Sequence, residues 1–225
     1  MTRHPATYPE VILPVLAGQL KGCRYTLDPF GGTGKLAEIY RFGYTGDLWV
    51  NELEPEWADE ARRLQDRKLI YCVTQRAAHT LNHAVEMDGR RPDAICTSPV
   101  YGNKMSEHCN WKDGRVCHTY KSYIGHDLDH DNAGRFYFWD REYADIHWLA
   151  WKNLTDMAPE VIILNTKDFY RMGAIQRVGA WHLMVLGVFG YHLAEHVQVE
   201  CPGQRQGANH KLRVDHEDVW RLERK

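Results

Sequence analysis

The sequence predicts a three-layer α/β fold with a mostly parallel sheet, and two observations support this prediction. Short apolar runs alternate with stretches of helical spacing along most of the 225 residues, which is the pattern of strands joined by crossover helices. The last two apolar runs are joined by a turn at residues 202–203 and a loop at 207–209, which indicates an antiparallel pair. We therefore expect helices on both faces of a sheet that ends in an antiparallel hairpin.

The predicted strands are short apolar runs bounded by turn residues. They span, in chain order, residues 25–27, 47–51, 69–73, 93–97, 160–164, 191–199 and 212–222. The first of them is followed by Asp28, Pro29 and a glycine cluster, which is typical of a strand that enters a tight turn.

The predicted helices lie between these strands. They span residues 35–42, 56–67, 81–87, 143–157 and 175–186. Gly43 follows the first helix, as glycine often does at a helix C-terminus, and Pro55 precedes the second, because proline is favoured in the first helical turn. The helix over 143–157 has an amphipathic pattern, which predicts that one of its faces packs against the sheet.

Composition predicts one cytoplasmic domain over residues 1–225. The chain has no internal repeat, low-complexity tract or Gly/Ser linker that would mark a boundary. Its formal net charge of −2 gives no sign of bulk attraction to a polyanion, so nucleic-acid contacts would depend on local patches. No apolar run reaches about 18 residues and no apolar signal region follows the N-terminus, so no membrane partner is expected. Six cysteines without paired spacing suit a reducing compartment.

A glycine-rich loop at residues 28–34 follows the first predicted strand. Glycines between a strand and a helix let the backbone approach a ligand closely, since no Cβ intervenes. A phosphate-binding P-loop is excluded, because Pro29 and Leu36 stand where that motif needs a glycine and a hydroxyl residue.

The same loop fits a different fingerprint. Gly32, Gly34 and Ala37 have the spacing of a dinucleotide-binding turn, and Glu52 follows at the end of the second strand. An acidic side chain at that position can accept hydrogen bonds from both ribose hydroxyls of an adenosine group. A tight turn that only packs a helix on a strand is the alternative interpretation.

A polar turn at residues 98–101 (Ser-Pro-Val-Tyr) follows the fourth predicted strand. In an open α/β sheet the carboxyl ends of the strands form the ligand crevice, so this turn is expected to face Asp28. Pro99 removes a backbone donor and stiffens the turn, which leaves Ser98 and nearby carbonyls as acceptors beside the ring of Tyr101. Such a turn suits an amino group whose own ring stacks on the tyrosine. By itself, the tetrapeptide is also compatible with a simple strand-ending turn.

Three segments together resemble the amino-directed DNA methyltransferases that use S-adenosylmethionine: residues 28–34, residues 52–56 (Glu-Leu-Glu-Pro-Glu) and residues 97–101. Residues 4–9 are similar to the N-terminal element that packs over the methionine part of the cofactor in that family. Residues 203–209 are similar to the ending of small phage-type members. The resemblance implies a Rossmann-like methyltransferase fold with a seven-stranded sheet. It also implies a DNA partner and a monomeric or homodimeric enzyme in the cytoplasm of a bacterium or a phage-infected host cell.

The resemblance further implies a cofactor site and a catalytic turn. S-adenosyl-L-methionine would be bound by Pro5, Asp28, Pro29, Phe30, Gly32, Gly34, Glu52, Leu53, Gln75 and Thr97. The catalytic residues would be Ser98 and Pro99, which accept hydrogen bonds from the target amine, and Tyr101, which stacks on the extruded base. Acceptors around the N–H bonds stabilise the positive charge that develops as the amine attacks a sulfonium methyl. The leading serine favours N4 of cytosine over N6 of adenine as the methylated position.

Two positions depart from the family pattern. Val100 stands where the family has a second proline, which leaves open a catalytically weak, DNA-binding module. Gln75 stands where the family has an acidic residue for the adenine amine. Methylation of RNA or of a protein glutamine by a similar pocket is a further alternative. Methylation at carbon 5 of cytosine is disfavoured, because that chemistry needs a cysteine nucleophile after a proline and the chain has none.

Residues 102–135 form a long polar stretch without clear periodicity, which predicts an insertion loop that acts as a DNA-recognition lid. Bases and aromatic residues are interleaved there. The DNA-binding residues we predict are Asn103, Lys104, Lys112, Arg115 and Lys121, together with Arg205. Acids match the bases in number, so a solvated loop of mixed charge is the alternative. No metal is expected, although a zinc site is compatible with His108, Cys109, Cys117 and His118.

Overall fold

The computed structural model of the chain describes residues 8–82, 89–102, 120–201 and 214–225. Its helices are α1 (Leu13–Gln19), α2 (Pro55–Asp66), α3 (Tyr120–Ile124), α4 (Arg141–Asp156) and α5 (Val178–Val188). Short 3-10 helices span Lys35–Phe42, Ala78–Thr80 and Ala133–Arg135. The strands are β1 (Tyr25–Asp28), β2 (Asp47–Asn51), β3 (Cys72–Thr74), β4 (Ala94–Thr97), β5 (Val161–Thr166), β6 (Phe169–Arg171), β7 (Ala174–Gln176), β8 (Tyr191–Glu200) and β9 (His216–Arg224).

Seven of these strands form one sheet in the order β3-β2-β1-β4-β5-β9-β8. The five strands from β3 to β5 are parallel, whereas β9 is antiparallel to both of its neighbours. The fold prediction is therefore confirmed: a mostly parallel seven-stranded sheet ends in an antiparallel C-terminal hairpin. The strand order reverses between β1 and β4, and in open α/β sheets this switch point is where ligands bind.

Hydrophobic layers cover both faces of the sheet. Alternate strand residues point to opposite faces, so Leu48 and Val50 of β2 pack in one layer with α1, while Trp49 between them packs in the other. The second layer includes Trp151 of α4 and Leu186 of α5. Helices thus lie on each side of the sheet, as the alternating pattern predicts.

Several boundaries differ from the prediction. The third strand is β3 at Cys72–Thr74 instead of residues 69–73, and Leu69 and Tyr71 are 40% and 43% exposed. Because β3 is the edge strand of the described sheet, where β2 is its one neighbour, part of this apolar run lies outside the core. The segment Lys35–Phe42 is helical as predicted, but it is a 3-10 helix that Gly43 ends at a φ of 88°. No helix was predicted over the residues of α1, although Leu13, Leu16 and Ala17 of this helix are buried.

The predicted helix over 175–186 begins later than expected. A hairpin formed by β6 and β7 occupies residues 169–176, and α5 begins at Val178. The two-residue turn at Met172 and Gly173 lets the chain fold back at once, which the apolar pattern alone does not show. The predicted helix over 81–87 lies largely outside the described residues. Across the described ranges no helix has the length and apolar character needed to cross a bilayer.

Candidate active site

A cavity of about 370 Å³ lies at the carboxyl ends of β1 and β4. These two strands are parallel neighbours in the sheet, with Leu27 opposite Ile95, so the loops that follow them emerge side by side. The lining includes eight of the predicted residues: Pro29, Phe30, Gly32, Glu52, Leu53, Ser98, Pro99 and Tyr101. The glycine-rich loop and the polar turn, which are separated by about 70 positions in the chain, therefore contribute to one concave surface.

Asp28 is fully buried at the end of β1. Its Oδ1 accepts hydrogen bonds from the Thr97 hydroxyl at 2.6 Å and from the Phe30 N–H at 3.3 Å. The Tyr8 hydroxyl donates to Oδ2 at 3.4 Å. Burial raises the pKa of Asp28 to about 7, although these hydrogen bonds partly oppose the shift. Asp28 and Thr97 thus join the two strands and position the loop through Phe30.

The glycines of the loop have different roles. Gly32 has a φ of 54°, and it lines the cavity. At Gly34, which has a φ of 79°, a Cβ atom would lie 2.8 Å from Ile70 Cδ1 and 3.1 Å from Leu64 Cδ1. Glycine at position 34 therefore permits close packing against α2 and the residues before β3, which is the packing role that the motif also allows.

Glu52 lies directly after β2 and is 7% exposed. Its Oε2 accepts a hydrogen bond from the Gly32 N–H at 2.9 Å, and its Oε1 accepts one from the Glu54 N–H, also at 2.9 Å. Burial raises the pKa of Glu52 to about 7. A carboxylate has about four acceptor positions, so each oxygen retains capacity for another donor. The arrangement fits a diol such as the ribose of an adenosine group.

The turn after β4 carries the predicted catalytic residues. Ser98 Oγ and the Tyr101 hydroxyl are 2.7 Å apart and share a hydrogen bond. Burial raises the pKa of Tyr101 above its usual value, so its hydroxyl stays neutral. When the Ser98 hydroxyl donates to Tyr101, the lone pairs of Ser98 Oγ are left to accept hydrogen bonds from another donor.

A buried chain of hydrogen bonds supports this turn. The Tyr143 hydroxyl donates to the Val100 carbonyl at 2.6 Å and lies 3.2 Å from His182 Nε2. Trp151 Nε1 donates to His182 Nδ1 at 2.9 Å, so Nε2 is the protonated nitrogen and donates to the tyrosine. Desolvation lowers the pKa of His182 well below its usual value, which keeps the imidazole neutral. The turn is therefore held in place by residues of α4 and α5. The amphipathic pattern of α4 predicted that this helix packs against the sheet, but it did not predict these hydrogen bonds.

A second group at the cavity was missed by the sequence analysis. Lys167 follows β5 and Glu217 lies on β9, and both line the cavity. Lys167 Nζ is 3.8 Å from Glu217 Oε1, while Asn165 Nδ2 donates to Glu217 Oε2 at 3.0 Å. Burial is the main cause that raises the pKa of Glu217. The polar run at residues 165–168, which follows the apolar residues of β5, is a sequence signal for Asn165 and Lys167, whereas no such signal precedes Glu217.

Residues 120–135 cover one side of the cavity. Glu54 Oε1 accepts hydrogen bonds from the Asp129 N–H at 2.9 Å and from Asn132 Nδ2 at 2.8 Å. The Tyr120 ring packs edge-on against Trp57 of α2, with ring centroids 5.5 Å apart. Tyr120 and Asn132 line the cavity beside Glu52 and Leu53. The described part of the predicted lid is thus attached to the turn between β2 and α2.

Other predicted residues lie elsewhere. Gln75 is exposed and accepts a hydrogen bond from Arg62 at 3.1 Å, while the adjacent Arg76 lines the cavity. Lys121 forms an exposed ion pair with Asp127 at 3.0 Å. The remaining predictions fall outside the described residues: Pro5, Asn103, Lys104, Lys112, Arg115 and Arg205, with the zinc candidates His108, Cys109, Cys117 and His118.

Comparisons with known proteins identify the fold. No family model and no curated protein matches the chain. Among solved structures, the methyltransferase domain of bacterial CtHen1 aligns with a TM-score of 0.57 at 12% identity, over 95% of this chain and 98% of that one. The chain has a methyltransferase fold. An S-adenosylmethionine-dependent methyltransferase from Clostridium acetobutylicum aligns with a TM-score of 0.53 at 12% identity, over 97% and 92% of the two chains.

Some similar structures are much longer than this protein. TrmN from Thermus thermophilus aligns with a TM-score of 0.53 at 16% identity, over 99% of this chain but 50% of TrmN. The mitomycin 7-O-methyltransferase MmcR is covered over 54% of its length. The chain therefore spans about half the length of these two proteins. At such identities the similarity establishes the fold, and the substrate has to be inferred from the site.

Proposed function

We propose that the chain is an S-adenosylmethionine-dependent methyltransferase that methylates an exocyclic amine of a DNA base. The main support is that residues 31–33, Glu52 and residues 98–101 line a single cavity at the switch point of a methyltransferase fold. The first two provide a cradle for an adenosine group, and the third offers hydrogen-bond acceptors to an amine. The serine that leads the turn favours N4 of cytosine over N6 of adenine.

The cofactor half of the cavity fits S-adenosylmethionine by its donor and acceptor pattern. Glu52 retains acceptor capacity for two ribose hydroxyls while it binds the Gly32 and Glu54 amides. Leu53 lines the cavity next to it and provides an apolar surface for adenine. When bound, the cofactor supplies an electrophilic methyl group on a sulfonium sulfur.

The target half of the cavity favours a neutral amine. In a base, the lone pair of an exocyclic amine is delocalised into the ring, so the amine is a weak nucleophile. Ser98 Oγ accepts a hydrogen bond from an amine N–H and stabilises positive charge on the nitrogen. Tyr101 supplies a ring for stacking. The Tyr143 hydroxyl holds the carbonyl of Val100, which lies between Ser98 and Tyr101 in the chain. A base has to leave the duplex to reach this turn, at a cost of about a few kcal/mol.

RNA is the second candidate substrate. One similar structure is named as a putative RNA methyltransferase from Pyrococcus horikoshii and another as a putative tRNA (m1A22) methyltransferase from Streptococcus pneumoniae. The cavity accepts an extruded base from either polymer, because the contacts that we assign involve the amine and the ring. A protein glutamine fits less well, since its amide has no ring to stack on Tyr101. Val100 in the turn is the feature compatible with a DNA-binding module without turnover.

Mass spectrometry of nucleosides tests the proposal and identifies the base. Purified protein and S-adenosylmethionine are incubated with unmodified duplex DNA and, in a separate reaction, with unmodified tRNA. We expect N4-methylcytosine in the DNA, and we expect Ser98→Ala to lower its amount about 100-fold or more in the same reaction time. N6-methyladenine in DNA would change the base but retain the reaction. A methylated base only in the RNA sample would replace DNA with RNA as the substrate, and no methylation of either polymer would reject the proposal.

A further inference from the structure

The hairpin formed by β6 and β7 emerges beside the cavity. It begins at Phe169, two residues after Lys167, which lines the cavity. The register pairs Arg171 with Ala174, so Met172 and Gly173 form the turn at the tip. The proposed methyl transfer uses no residue of this hairpin, and its tip carries an unusual residue.

Met172 is poorly suited to its position in the turn. Met172 and Gly173 have φ angles of 52° and 81°, and positive values at both central residues define a type I′ turn. The first position of such a turn strongly favours Asn, Asp or Gly, because a side chain without a local hydrogen bond is strained there. Met172 is also 80% exposed. Neither the turn nor the core explains a large apolar side chain at this position.

The hairpin is connected to the catalytic turn through an aromatic cluster. The Arg171 guanidinium lies 4.2 Å from the centre of the Tyr137 ring and donates a hydrogen bond to its hydroxyl at 2.8 Å. The Tyr137 and Trp139 rings are stacked, with centroids 4.7 Å apart. The Phe138 N–H, between them, donates to the carbonyl of Gly102 at 2.9 Å. Since residue 102 directly follows Tyr101, these contacts connect the hairpin to the end of the catalytic turn.

The charge of the hairpin favours a polyanion as its partner. Residues 169–177 include Arg171 and Arg177 and no acidic residue, in a chain with a net charge of −2. An apolar tip next to the cationic Arg171, with Arg177 directly after the hairpin, matches a nucleic acid, whose phosphates attract arginine while its stacked bases accept the apolar group.

We propose that Met172 is a wedge that enters the base stack of duplex DNA next to the extruded target base. Extrusion of a base leaves a gap between its neighbours, and proteins fill or open such gaps with apolar side chains, methionine among them. An unbranched thioether adapts its shape to the flat faces of different bases. This inference rests on the proposed function, because the extruded base is assumed to enter the cavity beside the hairpin.

Two substitutions at the tip separate the wedge from the fold of the hairpin. Met172→Asn gives the turn a residue that it favours and removes the apolar group, whereas Met172→Leu retains an apolar group of similar size. Met184→Asn is the matched control, because Met184 is 62% exposed on α5, outside the hairpin. The variants are compared in methylation of the same DNA as a duplex and as separated strands, and a thermal melt confirms that each is folded.

The expected result is a change in preference for the duplex. Because only the duplex has a paired stack to open, Met172→Asn should lower the ratio of kcat/KM for duplex to that for single strands about tenfold. Met172→Leu and Met184→Asn should leave this ratio within about twofold. An unchanged ratio in Met172→Asn, or an equal drop in Met184→Asn, would overturn the proposal. The same shift seen with duplex RNA and not with duplex DNA would overturn the choice of DNA.

Binding to DNA provides a readout that does not need methylation. A duplex with one abasic site already contains the gap, so the wild-type protein should bind it about tenfold more tightly than a fully paired duplex. Met172→Asn should lose this preference and Met172→Leu should keep it, as measured by fluorescence anisotropy. If the protein methylates nothing but shows this pattern, the proposed function fails and the wedge stands. If it methylates DNA and the preference is the same in all variants, the wedge fails alone.

Discussion

The two sides of the cavity are built in different ways. The cofactor wall, defined as residues 31–33, 52 and 53, is held by hydrogen bonds from backbone amides to a carboxylate that follows the next strand. The target wall, defined as residues 98–101, is held from behind by Tyr143, which lies 43 positions from the carbonyl that it binds, and through it by His182. The first wall depends on loops that follow adjacent strands, whereas the second depends on how two helices pack.

The walls also differ in charge. Glu52 belongs to the cofactor wall, and Asp28 lies at the end of β1, three residues before that wall begins. Burial raises the pKa of each carboxyl to about 7. At the target wall, burial raises the pKa of Tyr101 and lowers that of His182, so both groups are neutral near pH 7. The residues of the target wall are therefore uncharged hydrogen-bonding groups, whereas the cofactor wall contains a carboxyl. The charged pair Lys167 and Glu217 belongs to neither wall, although both line the cavity and Glu217 contributes to the raised pKa of Tyr101. This difference predicts that binding and turnover respond to separate substitutions.

The largest effect should come from Ser98→Ala. Loss of one preorganised hydrogen-bonding group at a reacting centre typically lowers kcat by about 100- to 1,000-fold. Because Ser98 belongs to the target wall, the affinity for S-adenosylmethionine should stay within about twofold. Single-turnover methylation and calorimetric titration of the cofactor measure the two quantities. Equal losses in both would show that the walls are not separate.

The converse effect is expected for Glu52→Gln. The amide keeps one acceptor oxygen and loses the charge, so we expect the affinity for S-adenosylmethionine to fall by about 10- to 100-fold, as for one lost hydrogen bond to a charged group. Turnover at saturating cofactor should change much less. Asp59→Asn, on an exposed ion pair of α2, is the control for a charge change. Calorimetry that finds no difference between the two variants would contradict the role of Glu52.

The raised pKa of Glu52 makes the affinity for the cofactor depend on pH. Acceptance of ribose hydroxyls needs the ionised form, which predominates only above the pKa of about 7. Affinity should therefore be highest above pH 7 and should fall about tenfold from pH 8 to pH 6. Glu52→Gln should flatten this part of the profile. A wild-type profile that is flat between these pH values would exclude a titrating carboxyl at the cofactor wall.

The smallest effect should come from Tyr143→Phe. The Val100 carbonyl would lose a buried hydrogen bond, at a cost of about 1 to 1.4 kcal/mol in positioning of the turn, and kcat should fall about five- to tenfold. Tyr191→Phe is a matched control, because the buried Tyr191 hydroxyl donates to the Pro159 carbonyl at 2.7 Å and lies outside the cavity lining. Both variants should lose similar thermal stability, but only Tyr143→Phe should lose turnover. A similar kcat in both would reduce Tyr143 to a structural residue.

Local signals made the cofactor wall predictable. Residues 47–51 were predicted as a strand and form β2 within the same bounds, because apolar residues bounded by turn signals fit a buried parallel strand. The glycine-rich loop and Glu52 follow such strands, and strand ends meet at one edge of a sheet. The sequence did not predict the role of Gly34, which permits close packing against Ile70 and does not line the cavity.

The remaining site residues depend on long-range contacts. Lys167 and Glu217 meet because β9 pairs with β5, and nothing in the residues around position 217 indicates this pairing. Tyr143 and Trp151 fit core positions of an amphipathic helix, yet their polar atoms join His182 in the support of the turn. The end of the hairpin, at residues 175–176, was predicted as the start of a helix, because its pattern is short and apolar.

The amino-acid sequence by itself determined the alternation of strands and helices, the antiparallel ending, and the two loops to which we assign the chemistry, because each depends on neighbours within a few positions. Tertiary structure decided which distant groups complete the cavity and which glycine serves only packing. It also decided the ionisation behaviour of Asp28 and Glu52. The physical reason is that desolvation and hydrogen bonding between elements depend on burial, which exists only once the helices cover the sheet.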